Sequence, residues 1–289
     1  MAYPVIMHVN YCEQGQTVGE ICRKAAGWGF DGVEFRRKRS RVEETTEEYL
    51  DKIERGVRAS GLKHVLFGAP GPQLSKDDPA ERAREVEEAV AFYRQVAERF
   101  GVRTVNLLTG NIRNPDSNIG YFERTKHGSF IATEEQWQWQ VKGCQDMADG
   151  LAGVDIRFGF ETHPVYLHDT VQATKKLVDA IDRPAIGANL DYGNMIGFEQ
   201  APSLEESIRT FGKKLHYAHL KNSASIRGGG RVSTALSEGQ INNREFIKLL
   251  MDIGYDGPVC VEAPRPGDRE WFAQQDLAYI ASVLADLGA

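Results

Sequence analysis

Eight short apolar runs alternate with eight amphipathic stretches along the whole chain, and that alternation admits very few folds. Strands are predicted at 4–10, 31–35, 62–67, 102–108, 155–161, 185–191, 214–220 and 257–263. Helices are predicted near 17–28, 45–60, 78–100, 134–151, 169–181, 203–212, 243–253 and 268–287. Helix starts carry capping chemistry, with Thr133 three residues before Gln136, Ser203 before Glu206 and Asn242 before Glu245. Gly27, Gly29, Gly61, Gly101 and Gly254 stand where helices should stop. Strict βα alternation leaves a closed barrel or an open doubly wound sheet, and eight units in 289 residues favour a single-domain (β/α)8 barrel over 1–289. No GxGxxG follows the first strand and no GxxxxGK[ST] occurs, so neither a dinucleotide nor a P-loop reading has support.

Within the later strands, alternation separates an apolar face from a polar one. In DIRFGFETH, Phe158 and Phe160 oppose Gly159, Glu161 and His163. In AIGANLD, Ile186, Ala188 and Leu190 oppose Gly187, Asn189 and Asp191. GPVCVEAP sets Val259 and Val261 against Cys260 and Glu262, and KLHYAHLK gives Tyr217, His219 and Lys221 one face. The polar residue comes last in each run, at the C-terminal rim where such barrels hold their sites. A lone His219 is usually a hydrogen-bonded core histidine, and a lone Glu262 pairs as readily with Arg265. Jointly, Glu161, Asp191, His219 and Glu262 facing inward need a compensating cation. Three carboxylates and an imidazole suit a divalent metal, Mn²⁺ foremost, with Mg²⁺ or Co²⁺ as alternatives. The same parity places His8, Asn10, Glu34, Arg36 and Asn106 at the rim; His8, Asn10, Glu34 and Asn106 are read as ligand contacts, with Glu34 either meeting a ligand hydroxyl or anchoring Arg36. Lys221 holds a substrate oxygen or balances the carboxylates. Loops 110–133 and 222–242 lie on this side and are read as lids; Tyr121, Phe122, Arg124 and His127 are candidates to close over a ligand. Of Trp137 and Trp139, two apart, one should enter the core while the other covers the surface.

Composition narrows the partners. Hydrophobic content of 41% and charged content of 26% are those of a soluble globular protein, with no apolar run long enough to cross a bilayer. MAYPVIMHVNYCEQG has no basic start followed by a long apolar stretch, so no signal peptide is expected. Cys12, Cys22, Cys144 and Cys260 form no CxxC pair, which fits reduced, buried thiols and a cytoplasmic location. A net charge of −6 argues against nucleic acid. RRKRSR at 36–41 runs straight into EETTEE and reads as a solvated loop before an acidic helix start.

FETHP, NLDYGNM, YAHLKN and VEAP, with DGVEF at the second strand, resemble the xylose isomerase-like TIM barrels, the sugar phosphate isomerases/epimerases. Ketohexose 3-epimerases, hydroxypyruvate isomerases and inosose dehydratases belong to that family. The resemblance implies that Glu161, Asp191, His219 and Glu262 hold the metal and that Glu161 and Glu262 also move the proton, one on each face of a small sugar substrate. It is also the ground for expecting a homodimer or homotetramer. Two departures stand out: Asn194 occupies the place of the epimerases' histidine, and the substrate-holding arginine after the seventh strand falls near Lys221, Arg227 or Arg231 without a fixed register. His163, Asn194 and Arg265 complete the substrate-facing set. His163 is either a base or acid beside Glu161 or a hydrogen-bonding support for it. As an acid–base partner it would suit elimination, so a dehydratase or lyase acting on a keto-sugar is the alternative to an isomerase/epimerase. Apurinic endonucleases share the superfamily but need further histidines, where this chain has Asn194 and SEGQIN. A non-catalytic sugar-binding barrel would be expected to lose a ligand, and all four remain.

Overall fold

The computed structural model describes residues 3–39, 42–68, 71–121, 123–227 and 230–289. The strands are β1 (Val5–His8), β2 (Gly32–Arg36), β3 (His64–Gly68), β4 (Thr104–Leu107), β5 (Arg157–Glu161), β6 (Ile186–Asp191), β7 (Leu215–Leu220), β8 (Ser223–Ser225), β9 (Arg231–Ser233) and β10 (Val259–Val261). The helices are α1 (Val18–Trp28), α2 (Thr46–Ser60), α3 (Pro79–Phe100), α4 (Glu134–Gly150), α5 (Val171–Ile181), α6 (Tyr192–Met195), α7 (Leu204–Phe211), α8 (Asn243–Asp252) and α9 (Arg269–Leu287). Eight parallel strands close into a barrel in the order β1-β10-β7-β6-β5-β4-β3-β2. All eight predicted strands are there, as are the eight predicted helices. Two features were not foreseen: the four-residue α6 directly after Asp191, and the antiparallel β8–β9 hairpin inside what reads in sequence as a plain loop.

Local chemistry explains the boundaries. Reciprocal capping boxes begin α1 (Thr17 with Glu20), α2 (Thr45 with Glu48), α4 (Thr133 with Gln136) and α7 (Ser203 with Glu206). Gly29, Gly61 and Gly101 end α1, α2 and α3 in the left-handed conformation that only glycine adopts without strain. Gly27, expected to stop a helix, lies inside α1, two residues short of the Gly29 cap.

The chain gathers into two compact units, residues 1–67 with 218–289, and residues 68–217. In the first, β1 is central, pairing with β2 (His8 beside Glu34) and with β10, while α1 packs on α2. In the second, β4, β5 and β6 form a continuous ladder in which Asn106 lies beside Gly159 and Glu161 beside Asn189. Phe158 of β5 sends its ring outward onto Tyr93 of α3, centroids 4.9 Å apart, which turns Gly159 and Glu161 the other way. Trp137 is buried with Lys176 over its ring, and Trp139 is half-buried under the Arg82 guanidinium. The four cysteines are free and buried, and burial pushes the Cys12 and Cys22 thiols up to about 12. Among the described residues no helix is long and apolar enough to cross a membrane.

Both long loops are fastened internally. His127 is buried within the loop after β4, its Nδ1 accepting from Asn114 N at 3.0 Å and its Nε2 donating to Gly120 O at 3.1 Å, so it staples the loop and does not cover a ligand. Tyr121 is on the surface with Arg113 over its ring, and Phe122 lies outside the described residues. The Asp169 carboxylate then accepts from the Ser129 amide (2.9 Å) and hydroxyl (2.6 Å). In the second loop Asn222 donates to Leu236 O and Ile241 O and accepts from Ser223 N and Ile241 N, closing the base of the hairpin.

Two stability predictions follow from this packing. A Cβ added at Gly187 of β6 would meet Lys214 O at 2.3 Å and the His216 ring at 2.6 Å, so Gly187→Ala should lower the urea-unfolding free energy by about 2 kcal/mol. Burial pushes the Asp169 carboxyl up to about 7, against the Ser129 bonds that lower it. The folded chain therefore keeps a proton that the unfolded chain loses near 3.8, and stability declines as the pH rises between those values. Asp169→Asn cannot ionise, so its stability relative to wild type should improve from pH 4 to pH 7, by up to about 4 kcal/mol, and level off above; urea midpoints across that range check the slope.

Candidate metal centre and active site

In the second unit, Glu161 is held by a relay of amides. Gly159 stands two residues before Glu161, and a Cβ there would press on Asn189 Cβ at 3.0 Å; the glycine makes room for that side chain. Asn189 Nδ2 donates to Asn106 Oδ1 at 3.0 Å, which leaves the Asn106 amide to donate to Glu161 Oε2 at 2.7 Å. The other Glu161 oxygen accepts from Asn194 Nδ2 at 3.1 Å. Asn194 is placed by α6: its backbone N–H donates to Asp191 Oδ1 (3.0 Å), its side chain also donates to Thr162 O, and the Arg124 guanidinium donates to its carbonyl. Gly197 leaves the space that guanidinium fills, since a Cβ would lie 2.3 Å from Arg124 Cζ. Glu161 thus carries amide donors on both carboxylate oxygens.

His163 follows on the same strand end. Its Nδ1 lies 2.9 Å from Pro164 O, a pure acceptor, so Nδ1 carries the hydrogen and Nε2 is the basic nitrogen. Tyr166 packs edge-on against that ring at 5.2 Å, and burial, with Glu161 next, raises the Tyr166 phenol. His168, fully buried, donates from Nδ1 to Glu161 O at 2.5 Å, and burial holds it neutral by lowering it to about 4.

In the first unit, a second group gathers around Glu262. Glu262 follows β10, with Oε1 accepting from Asn10 Nδ2 (3.1 Å) and Oε2 lying 2.7 Å from His219 Nδ1 and 3.2 Å from Lys221 Nζ. His219 Nε2 lies 3.0 Å from Glu34 Oε2, and both side chains are fully buried. His8 accepts from Asn10 N on Nδ1, which directs Nε2–H toward Glu34 Oε1 (3.6 Å) and Glu262 Oε1 (3.8 Å). Burial alone would push His219 toward neutrality; the Glu34 and Glu262 carboxylates outweigh it and hold the imidazole well above its usual range. Burial would likewise raise Glu262, but His8, Lys221 and His219 keep it well below the usual carboxylate range.

Arg36 pairs with Glu13 at 2.7 and 2.9 Å, and the Glu34 side chain is fully buried. One sequence expectation is corrected here. Arg265 is committed to Asp276 (2.8 Å), Ala263 O and Thr234 O, with Phe272 beneath it, and does not pair with Glu262. Asn189 and Tyr166 were not singled out in the sequence. Asn189 shares the Asp191 face of its strand and was open to the same parity argument; nothing local marks Tyr166.

One ligand atom each from Glu161, Asp191, His219 and Glu262 lies within 4.8 Å of the others, and a second such group comprises Glu34, His219 and Cys260. The first set fits a divalent ion: three carboxylate oxygens and one imidazole nitrogen match a hard to borderline cation, with hydrogen-bonded supports behind the carboxylates and the imidazole.

Residues 22–283 match the family model described as the xylose isomerase-like TIM barrel. A xylose isomerase-like TIM barrel protein from Mycobacterium smegmatis, solved in complex with magnesium, superposes with a TM-score of 0.79 at 17% identity, over 99% of this chain and 98% of that one. D-allulose 3-epimerase from Methylomonas sp. superposes with a TM-score of 0.73 at 19% identity, over 98% and 100%. Mannonate dehydratase 1 of Halalkalibacterium halodurans is 26% identical over 168 residues, 53% of this chain and 43% of that protein, so the chain spans less than half the relative's length. With a closed eight-stranded barrel and a family match over nearly its whole length, the chain belongs to the xylose isomerase-like TIM barrel family.

Proposed function

We propose that this protein is a divalent-metal-dependent sugar isomerase or epimerase that works by removing a proton next to a carbonyl. The observation that carries the reading is the grouping of Glu161, Asp191, His219 and Glu262 within 4.8 Å. Glu161, Asp191, His219 and Glu262 would hold a divalent ion, Mn²⁺ by preference, which would supply Lewis-acid polarisation of a carbonyl and an adjacent hydroxyl. Asp191 and His219 serve as ligands. Glu161, oriented by Asn106 and Asn194, takes the proton. Glu262, oriented by Asn10 and Lys221, holds or returns a proton from the other side. Lys221 and His8 offer hydrogen-bond donors to substrate oxygens. Return to the same carbon from the opposite face gives an epimer; return to the neighbouring carbon gives an isomer.

His163 supports a second reading. Its Nδ1–H is taken by Pro164 O, which leaves Nε2 as a free base on the strand end that carries Glu161. A base separate from the metal-binding carboxylates suits β-elimination from a keto-sugar, and the likeness to mannonate dehydratase points the same way.

Incubating the Mn²⁺-loaded protein in D₂O with free ketoses, phosphorylated ketoses and 3-keto-glycosides should give deuterium incorporation without loss of a substituent. Release of water or an aglycone, abolished by His163→Ala, would replace the isomerase reading with the lyase. Glu161→Gln should slow exchange by about 100-fold or more while substrate affinity stays within about an order of magnitude. An unchanged exchange rate removes Glu161 from the proton transfer.

A further inference from the structure

Glu34 is a carboxylate with no exposed surface, set between Val33 and Phe35 in β2. A buried, uncompensated carboxylate is too unfavourable to persist, so its partners define its role. Arg36, the cation nearest in sequence, is taken by Glu13. What faces Glu34 is histidine: His219 Nε2 at 3.0 Å from Oε2, and His8 Nε2 at 3.6 Å from Oε1. The two nitrogens of an imidazole point in diverging directions. With Nε2 on Glu34, His219 Nδ1 is directed at Glu262 Oε2, 2.7 Å away.

We propose that Glu34 is a positioning residue for the metal centre, holding the Nε2–H of His219 so that Nδ1 is the nitrogen left to bind the cation. The inference rests on the metal-centre reading above and assigns Glu34 no contact with substrate. An ionised acceptor on Nε2 fixes the tautomer, fixes the plane of the ring and makes Nδ1 a better donor. Because Glu34 lies beside His8 in the β1–β2 ladder, the same carboxylate also sets the direction of the His8 Nε2–H. The group formed by Glu34, His219 and Cys260 offers the competing arrangement, in which Glu34 would itself be a ligand.

The test uses the full chain stripped with a chelator and titrated with Co²⁺, comparing wild type, Glu34→Gln and Glu34→Met by calorimetry. Wild type should bind one equivalent. Glu34→Met, with no acceptor, should bind about 10- to 100-fold more weakly, and Glu34→Gln should recover much of the loss because its amide oxygen still accepts from Nε2–H. Nitrogen-15 spectra of the Mg²⁺-loaded proteins should show His219 as the Nε2–H tautomer in wild type and Glu34→Gln and a changed tautomer in Glu34→Met, a shift that general loosening of the barrel would not produce. If Glu34→Met fails to fold, Glu34→Asp carries the comparison, since its shorter arm withdraws the carboxylate from Nε2 and should weaken binding to a similar degree. Wild-type affinity with an unchanged tautomer in Glu34→Met or Glu34→Asp overturns the proposal. A thiolate-to-cobalt absorption band that disappears in Cys260→Ser also overturns it, by making Glu34 a ligand. Wild type that binds none of Co²⁺, Mn²⁺ and Mg²⁺ removes the metal-centre reading itself, a result distinct from the other two.

Discussion

Gathering Glu161, Asp191 and Glu262 at one place is the constraint on which the rest of this structure depends. Three carboxylates withdrawn from water repel one another and lose hydration, and that penalty must be offset locally. The chain does so with a graded set of donors. Neutral amides from Asn106 and Asn194 serve Glu161, the backbone of α6 serves Asp191, and Asn10, Lys221 and His219 serve Glu262. The grading matters chemically. Amides keep a carboxylate ionised without placing a proton within its reach, whereas imidazole and ammonium groups can give one up. Glu161 and Glu262 are therefore unequal partners before any substrate arrives.

Much of this was legible in the sequence because strand parity is a local rule. Phe158 and Phe160 against Gly159 and Glu161 needs only the pleat, and the same holds for Asn189 with Asp191 and for Cys260 with Glu262. Capping boxes and terminal glycines fix helix ends through contacts three or four residues apart, so those boundaries fall within a residue or two. What stayed hidden depends on pairing across distance. Glu34 and His219 are 185 residues apart, and nothing around either says that they meet. His127 sits in a polar loop and looks available for a ligand, yet it closes on Asn114 and Gly120 of its own segment. Arg265 follows Glu262 by three residues, but Asp276 of α9 outcompetes that neighbour.

Asn194 links local and distant structure. Its amide reaches Glu161 directly, and its backbone is held by Asp191 on one side and Arg124 on the other. Through Asn194 and Arg124, the loop after β4 is linked to the Glu161 carboxylate. The same loop is otherwise anchored by Ser129 on Asp169.

The opposite arrangement holds at Asn222. That one side chain fastens both ends of the segment carrying the β8–β9 hairpin, through four hydrogen bonds to Leu236, Ile241 and Ser223. Everything beyond the clasp can lengthen, shorten or change composition without pulling on Lys221 or His219. The hairpin is therefore the part of this unit most open to changes of length and sequence.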